Sequence, residues 1–240
     1  MSSSRLPGKV MAEINDFPMI YWQIKRIEKA KLINGVCVAI SEDSTDDLLF
    51  NFLTEHKIEV IRGDLDNVLE RFKKVIDSHS QDNLIRLTGD CPLTMPQLID
   101  EMVKEFSLHK FDYLSNSLVP TFPDGLDIEI FTREAFTKLS ECELTPLEME
   151  HVTLGIYNRQ EDFKVSNFKD YIDRSRFRWT VDYPEDLDFV RSIYSHFKGR
   201  ESIFDYEEVL EFLRLNPEVV SGISASRRNE ALLKPLEGHN

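Results

Sequence analysis

The chain has little of what several large protein classes require. Its 240 residues hold three cysteines, Cys37, Cys91 and Cys142, widely spaced and without a CxxC pair. That pattern gives neither a disulfide framework nor a zinc site, and reduced thiols in a cytoplasmic protein are the plain expectation. No apolar run approaches the ~20 residues of a membrane-spanning helix, and the N-terminus lacks the apolar stretch of a signal peptide. No membrane contact is therefore expected. Positive charge is also scarce: 29 Lys+Arg stand against 43 Asp+Glu, for a net charge of −14. A surface this acidic is not expected to bind nucleic acid by neutralising phosphates. It serves solubility, while a few local basic groups and a metal ion suffice for one nucleotide. Internal repeats, low-complexity tracts and a Walker A sequence are absent as well.

What is present is an alternation of helical and strand-like patterns from about residue 10 to residue 115. Phe17, Ile20, Ile24 and Ile27 recur at helical spacing, and 36–40 reads as a short buried strand. Helices are expected at 46–56, 67–78 and 96–107, and strands at 58–61 and 84–87. This rhythm predicts an α/β fold with a mostly parallel sheet covered by helices on both faces. After Tyr113 the rhythm changes. Pro120, Pro123 and Gly125 mark a loop, a strand is expected at 126–131, and helices at 133–140 and 147–158. Strands at 163–168 and 177–181 and helices at 184–197 and 206–215 complete the pattern. Residues 118–175 read as an insertion on the sheet of a single domain spanning 1–240, and the last twenty or so residues look weakly ordered.

Three segments carry chemistry. Ser2-Ser3-Ser4-Arg5-Leu6-Pro7-Gly8-Lys9 combines small residues, whose backbone N–H groups can approach an anion, with two cations. It suits a phosphate-holding loop, or else is a basic N-terminal tail. Arg86-Leu87-Thr88-Gly89-Asp90-Cys91-Pro92 places Asp90 just past a strand, at the carboxyl edge where open α/β sheets bind ligands. Gly89 would allow a tight turn there. Such an Asp suits Mg²⁺, which takes one or two carboxylates plus substrate phosphates; capping the next helix is its other use. Arg178-Trp179-Thr180-Val181-Asp182-Tyr183-Pro184-Glu185-Asp186-Leu187 repeats the arrangement, so that Asp182 could complete a metal site with Asp90. Glu185 and Asp186 fit the first turn of a helix.

Weaker signals point the same way. Gly63-Asp64-Leu65-Asp66-Asn67 follows a strand and borders a nucleotide or caps a helix. Pro123-Asp124-Gly125-Leu126-Asp127 sets carboxylates beside a turn, suited to sugar hydroxyls. Glu150-His151-Val152-Thr153 falls on an expected helix, where a lone His is more often packed or exposed than catalytic. Cys91 has no His nearby in sequence to activate it and is rejected as a nucleophile.

The segments SSRLPGK, RLTGDCP, PDGLDIE, EHVT and RWTVDYPEDL, in this order, resemble the spore coat polysaccharide cytidylyltransferase family, itself similar to the CMP-sugar-acid synthetases that activate Kdo and sialic acids. The likeness runs from Met1 to about Tyr194. It implies a Rossmann-like nucleotidyltransferase fold, a homodimer with the inserted arm at its interface, CTP and a small sugar-type acceptor as partners, and Mg²⁺ (or Mn²⁺) as cofactor. Carried over, Arg5, Lys9 and Asp90 are the catalytic candidates. Ser3, Ser4, Arg5, Lys9, Arg86 and Thr88 would border the nucleotide, and Asp90 and Asp182 would bind the metal. Asn116, Gly125, Asp127, His151 and Arg178 would face the acceptor. One departure stands out: the family opens with a strand of the type IIQAR before its signature loop, whereas Met1 stands inside that loop. The first strand is thus expected to be missing, with a misassigned start as the favoured explanation.

The implied reaction is in-line attack of an acceptor oxygen on the α-phosphorus of CTP, with pyrophosphate leaving toward Arg5 and Lys9. Three other readings stay open. The nucleotide could be UTP, GTP or dTTP. The chain could be an inert nucleotide-binding or scaffold protein. Or Asp64-Leu65-Asp66 could be the DxD centre of a glycosyltransferase.

Overall fold

The structure is a computed structural model that describes Ser3 and residues 5–220. The C-terminal stretch expected to be weakly ordered lies outside the described residues. A short hairpin, β1 (Glu13–Ile14) and β2 (Phe17–Pro18), leads into α1 (Met19–Ile27). Two βα units follow: β3 (Cys37–Ser41) with α2 (Asp47–Glu55), and β4 (Glu59–Gly63) with α3 (Val68–Ser78). Next come β5 (Asn83–Arg86), α4 (Pro96–Leu108) and β6 (Tyr113–Ser115). The remainder is β7 (Glu129–Thr132), α5 (Arg133–Ser140), α6 (Pro146–Glu150), α7 (Leu154–Tyr157), β8 (Val165–Asn167), α8 (Pro184–His196), α9 (Tyr206–Leu215) and α10 (Pro217–Val220).

Local chemistry sets most helix starts. The Asn67 and Thr132 side chains accept from the backbone N–H of Glu70 and Ala135, satisfying otherwise orphaned donors. Thr145 with Glu148, and Asp205 with Glu208, form reciprocal capping boxes. Pro96, Pro146 and Pro184 open their helices, where a missing N–H costs nothing.

β3 and β4 pair in parallel, and a separate four-stranded sheet has the order β5-β7-β6-β8. Within it β5, β6 and β8 run the same way and β7 alone opposes them. No strand among the described residues pairs with the remaining edge of β3 or of β5. Among the described residues the strands thus form two separate sheets, β3-β4 and β5-β7-β6-β8. Helix α1 spans the two parts by packing: Ile20 and Ile24 join the cluster of Ile40, Leu49, Leu53 and Ile58, while Met19 and Ile27 join the main core with Leu93, Ile99 and Trp179.

Three expectations need correction. Residues 147–158 are not one helix; they break at 151–153, where Val152 takes a positive φ of 38°. Residues 177–181 form no ladder strand, only an isolated parallel bridge between Asp124 and Arg178. Residues 118–175 are not simply inserted on the sheet, because β7 lies between β5 and β6 and so belongs to its centre.

Arg26 ties the first helix to the C-terminal part of the chain. Fully buried, it donates to the carbonyls of Thr94, Glu201 and Phe204. Burial lowers its pKa to about 10, so it remains charged at neutral pH. Arg26→Met would leave three acceptors in the interior without their donor. We expect it to cost about 3 kcal/mol or more, read as a lower urea midpoint at unchanged m-value; a loss under ~1 kcal/mol would contradict this role.

Candidate active site

The N-terminal segment is folded onto the protein from Arg5 onward. Ser3 Oγ accepts from the Leu6 N–H at 3.3 Å. Gly8 takes a left-handed conformation, φ 72°, and starts a single 3₁₀ turn, Lys9–Met11. Glycine adopts that conformation without a Cβ clash. Ser4 lies outside the described residues.

The turn directs Lys9 between the two strand-end aspartates. Its Nζ donates to Asp90 Oδ2 at 3.0 Å, Asp182 Oδ1 at 2.9 Å and the Val181 carbonyl at 2.8 Å. Burial alone would lower the Lys9 pKa, but the two carboxylates outweigh it and the net shift is upward. Asp90 would be raised by burial; Lys9 and the Thr88 hydroxyl turn that into a net lowering. Asp182 is likewise opposed by burial, yet Lys9, Arg178 and Arg5 bring it down to about 2. Arg5 stands 2.8 Å from Asp182 Oδ1 and lies over the Tyr183 ring.

Arg178 supports this group from below. It reaches Asp124 at 2.8 Å and Asp182 at 2.6 Å, and stands 3.4 Å from Asp186. Asp186 Oδ2 accepts the backbone N–H groups of Asp182 and Tyr183, which fixes the turn that presents Asp182. The Val181 N–H donates to the Asp90 carbonyl, so the two aspartates are stitched together through the backbone.

A second group lies beside the first. Arg86 on β5 pairs with Glu129 on β7, which also accepts from Tyr113 at 2.6 Å and from Thr153. His151 is half-buried next to it; burial and the Arg86 charge lower its pKa. It is therefore neutral at neutral pH. Glu129 was not singled out from the sequence. Its signal was an acidic side chain set between Ile128 and Ile130 in an expected strand.

Other predicted residues have structural tasks. Asn116 is fully buried, donating to the Leu126 carbonyl and accepting from the Ile128 N–H. Gly125, φ 104°, lets two backbone segments touch: a Cβ there would lie 2.5 Å from Thr180 N. Asp127 is half-buried, with its charge felt at Cys91. Gly89 is not left-handed, and a Cβ would make ordinary contacts with Val10 and Ile20, so the expected turn does not depend on glycine. Burial and the carboxylates of Asp90, Asp127 and Asp124 push the Cys91 thiol well up, in keeping with its rejection as a nucleophile.

The donor set fits a divalent metal. Two carboxylates from distant segments already converge on one cation, the Lys9 ammonium, and an oxygen pair of this kind is what Mg²⁺ takes from proteins. Paired aspartates with adjacent Arg and Lys groups form an arrangement able to hold a metal-bound polyphosphate.

Comparison with known proteins narrows the class. The Cytidylyltransferase family matches residues 1–220, and the chain belongs to that family. It is 28% identical over 229 residues to the spore coat polysaccharide biosynthesis protein SpsF of Bacillus subtilis, covering 92% of this chain and 93% of that protein. A cytidylyltransferase structure from Leptospira borgpetersenii serovar Hardjo-bovis superposes with a TM-score of 0.87 at 31% identity over 95% of both chains. The structure of CMP:2-keto-3-deoxy-manno-octonic acid synthetase complexed with CTP shares the fold, with a TM-score of 0.61 at 19% identity over 81% of this chain and 95% of that one. No helix among the described residues is long and apolar enough to cross a membrane.

The Asp182 pairing has a pH signature. Its carboxyl falls from 3.8 to about 2 on folding, so the stabilisation is complete above pH ~4 and lost as the pH falls through ~2. At 15% exposure the side chain is little screened, and the shift corresponds to ~2 kcal/mol. Urea titrations at steps from pH 5 to pH 2 should show Asp182→Asn lacking this increment of acid destabilisation. Equal acid limbs for both proteins would mean that the cluster is not formed in solution.

Proposed function

We propose that this cytidylyltransferase transfers CMP from CTP to a small sugar-type acceptor, a sugar acid or sugar phosphate used in surface polysaccharide or glycoconjugate synthesis, and releases pyrophosphate. The observation that carries this reading is the meeting of Asp90 and Asp182 at a single cation position beside Arg5. A magnesium ion would be held by these two carboxylates and, when bound, would withdraw charge from the phosphate oxygens. Lys9, released from the aspartates, and Arg5 would bind the β- and γ-phosphates and stabilise the charge that collects on the leaving pyrophosphate. The acceptor oxygen attacks the α-phosphorus as the bond to the bridging oxygen breaks. Neither Asp90 nor Asp182 is a useful base at neutral pH, both carboxyls being held below their ordinary range. A sugar acid's hydroxyl proton would pass to the neutral His151 or to water, whereas a sugar phosphate attacks through an oxygen that is already ionised.

Arg86, His151 and Glu129 supply a polar wall next to Asp90, suited to hydroxyls and an anionic group on the acceptor. Arg178 acts by positioning Asp182. The spore coat relative supports the polysaccharide setting, and the CTP complex of a protein with this fold supports the choice of nucleotide. A homodimer in the cytoplasm belongs to the same reading, with Tyr171 and Ile172, exposed apolar side chains within the 118–175 stretch, at its interface.

Pyrophosphate release should be followed with CTP, UTP, GTP and dTTP in turn, against sugar acids and sugar phosphates. CTP with Mg²⁺ should be preferred, and chelation should stop turnover. Asp90→Asn should lower kcat by about two orders of magnitude; an unchanged rate would remove Asp90 from the metal site. Lys9→Met should slow turnover as well, while tightening Mg²⁺ binding about tenfold without nucleotide, because the competing ammonium is gone.

A further inference from the structure

Away from the Lys9 cluster, the first residues of β3 and β4 and the residue that caps α3 bring three different ligand types together. Cys37 and Glu59 are register partners in the parallel pair. His79 follows the last turn of α3. One ligand atom from each, the Cys37 thiol, a Glu59 carboxylate oxygen and a His79 ring nitrogen, lie within 4.8 Å of one another. Cysteine spacing does not reveal this arrangement, because its members come from three separate elements.

The histidine is set up to act as a ligand. Its Nδ1 is 2.7 Å from the Val75 carbonyl, which can only accept, so Nδ1 carries the proton of that hydrogen bond. The Nε2 atom then faces Glu59 Oε1 at 3.1 Å. With the ring neutral, a nitrogen lone pair would face a carboxylate oxygen. A cation is needed there, either a second ring proton or a metal. Backbone carbonyl anchoring of Nδ1–H is the usual way a metal-binding imidazole is oriented. The His79 backbone is held too: Arg133 donates to the carbonyls of Ile76, His79 and Gln81. The observed 3.1 Å between nitrogen and oxygen is close to the ~3.3 Å edge of a tetrahedral zinc site with ~2.0–2.1 Å bonds.

We propose that Cys37, Glu59 and His79 form a second metal site, one that takes Zn²⁺ or a similar borderline divalent ion and leaves its fourth position to water. Sulfur, nitrogen and one carboxylate favour zinc over magnesium, which prefers an all-oxygen shell. Binding exchanges the thiol proton for the metal, so that thiolate and carboxylate together neutralise the ion. The site links the beginnings of β3 and β4 to the end of α3 and is separate from the aspartates at Lys9.

Cobalt reports on thiolate ligation without depending on turnover. The unaltered full chain, with excess Mg²⁺ to occupy the carboxylate pair, should show thiolate-to-cobalt absorption in the near ultraviolet that saturates at one Co²⁺ per chain. Zn²⁺ should displace it. Cys37→Ser should abolish the near-ultraviolet band. Glu59→Gln, an exposed change that spares the fold, should weaken binding at least tenfold, as should His79→Gln. A band that survives Cys37→Ser would assign the metal to another thiol. No band in the parent protein would leave His79 and Glu59 as a simple ion pair. Either result overturns the site.

Discussion

The structure depends on a lysine held between two aspartates that are 92 residues apart in sequence. Asp90 and Asp182, brought to the same place without a cation, would repel each other and the fold would bear the cost. Lys9 removes that repulsion, and its placement draws on the rest of the architecture. Gly8 must turn left-handed to aim it, the Val181 N–H must meet the Asp90 carbonyl, and Asp186 must hold the turn at Asp182. Arg178 completes the balance from within, facing three carboxylates while itself nearly buried. A cation-binding position is therefore built into the fold, and Lys9 occupies it.

The parts legible from sequence were those set by neighbours in the chain. Arg133–Ser140 and Tyr206–Leu215 match their expected bounds, since apolar periodicity and a capping residue act within a few positions. The two aspartates were legible for the same reason, each closing an extended segment beside Gly or Pro. What escaped was decided at long range. Residues 177–181 have a strand's composition but only one bridge to Asp124, because the segment packs Trp179 and Val181 into the core and uses its backbone to hold Asp90. The helix expected through His151 breaks because Thr153 is drawn to Glu129 and Val152 turns into the second core cluster. Neither partner is near in sequence. Asn116 and Gly125 sat in segments of family likeness, yet Asn116 bonds to backbone and Gly125 lets two backbone segments touch, so a motif can mark what supports a site as well as what touches a ligand.

The separation of the β3-β4 pair from the four-stranded sheet shows which forces keep the two parts together. No ladder among the described residues crosses it, so continuity falls to side chains. Helix α1 contributes to the clusters on both sides, and Val10 and Val36 pack against both. Apolar burial is non-directional and scales with area, so helices can bridge a gap that hydrogen bonds cannot.

An acidic protein that handles a polyanionic nucleotide is less paradoxical once its charges are located. The chain carries a net charge of −14, but Arg5, Lys9, Arg86 and Arg178 are gathered near the paired aspartates, each matched to a carboxylate in the structure. Long-range repulsion from the remaining surface is screened over ~8–10 Å at ordinary salt, whereas these partly buried groups act at hydrogen-bond distance. For the proposed reaction, a divalent ion entering between Asp90 and Asp182 replaces one positive charge by two and frees Lys9 and Arg5 for phosphates. Metal and nucleotide would then favour each other's binding through the same two side chains. On the proposed reading, the carboxylates would exchange Lys9 for a divalent ion, and the ammonium so released would stay beside Arg5, on the side where the phosphates would lie.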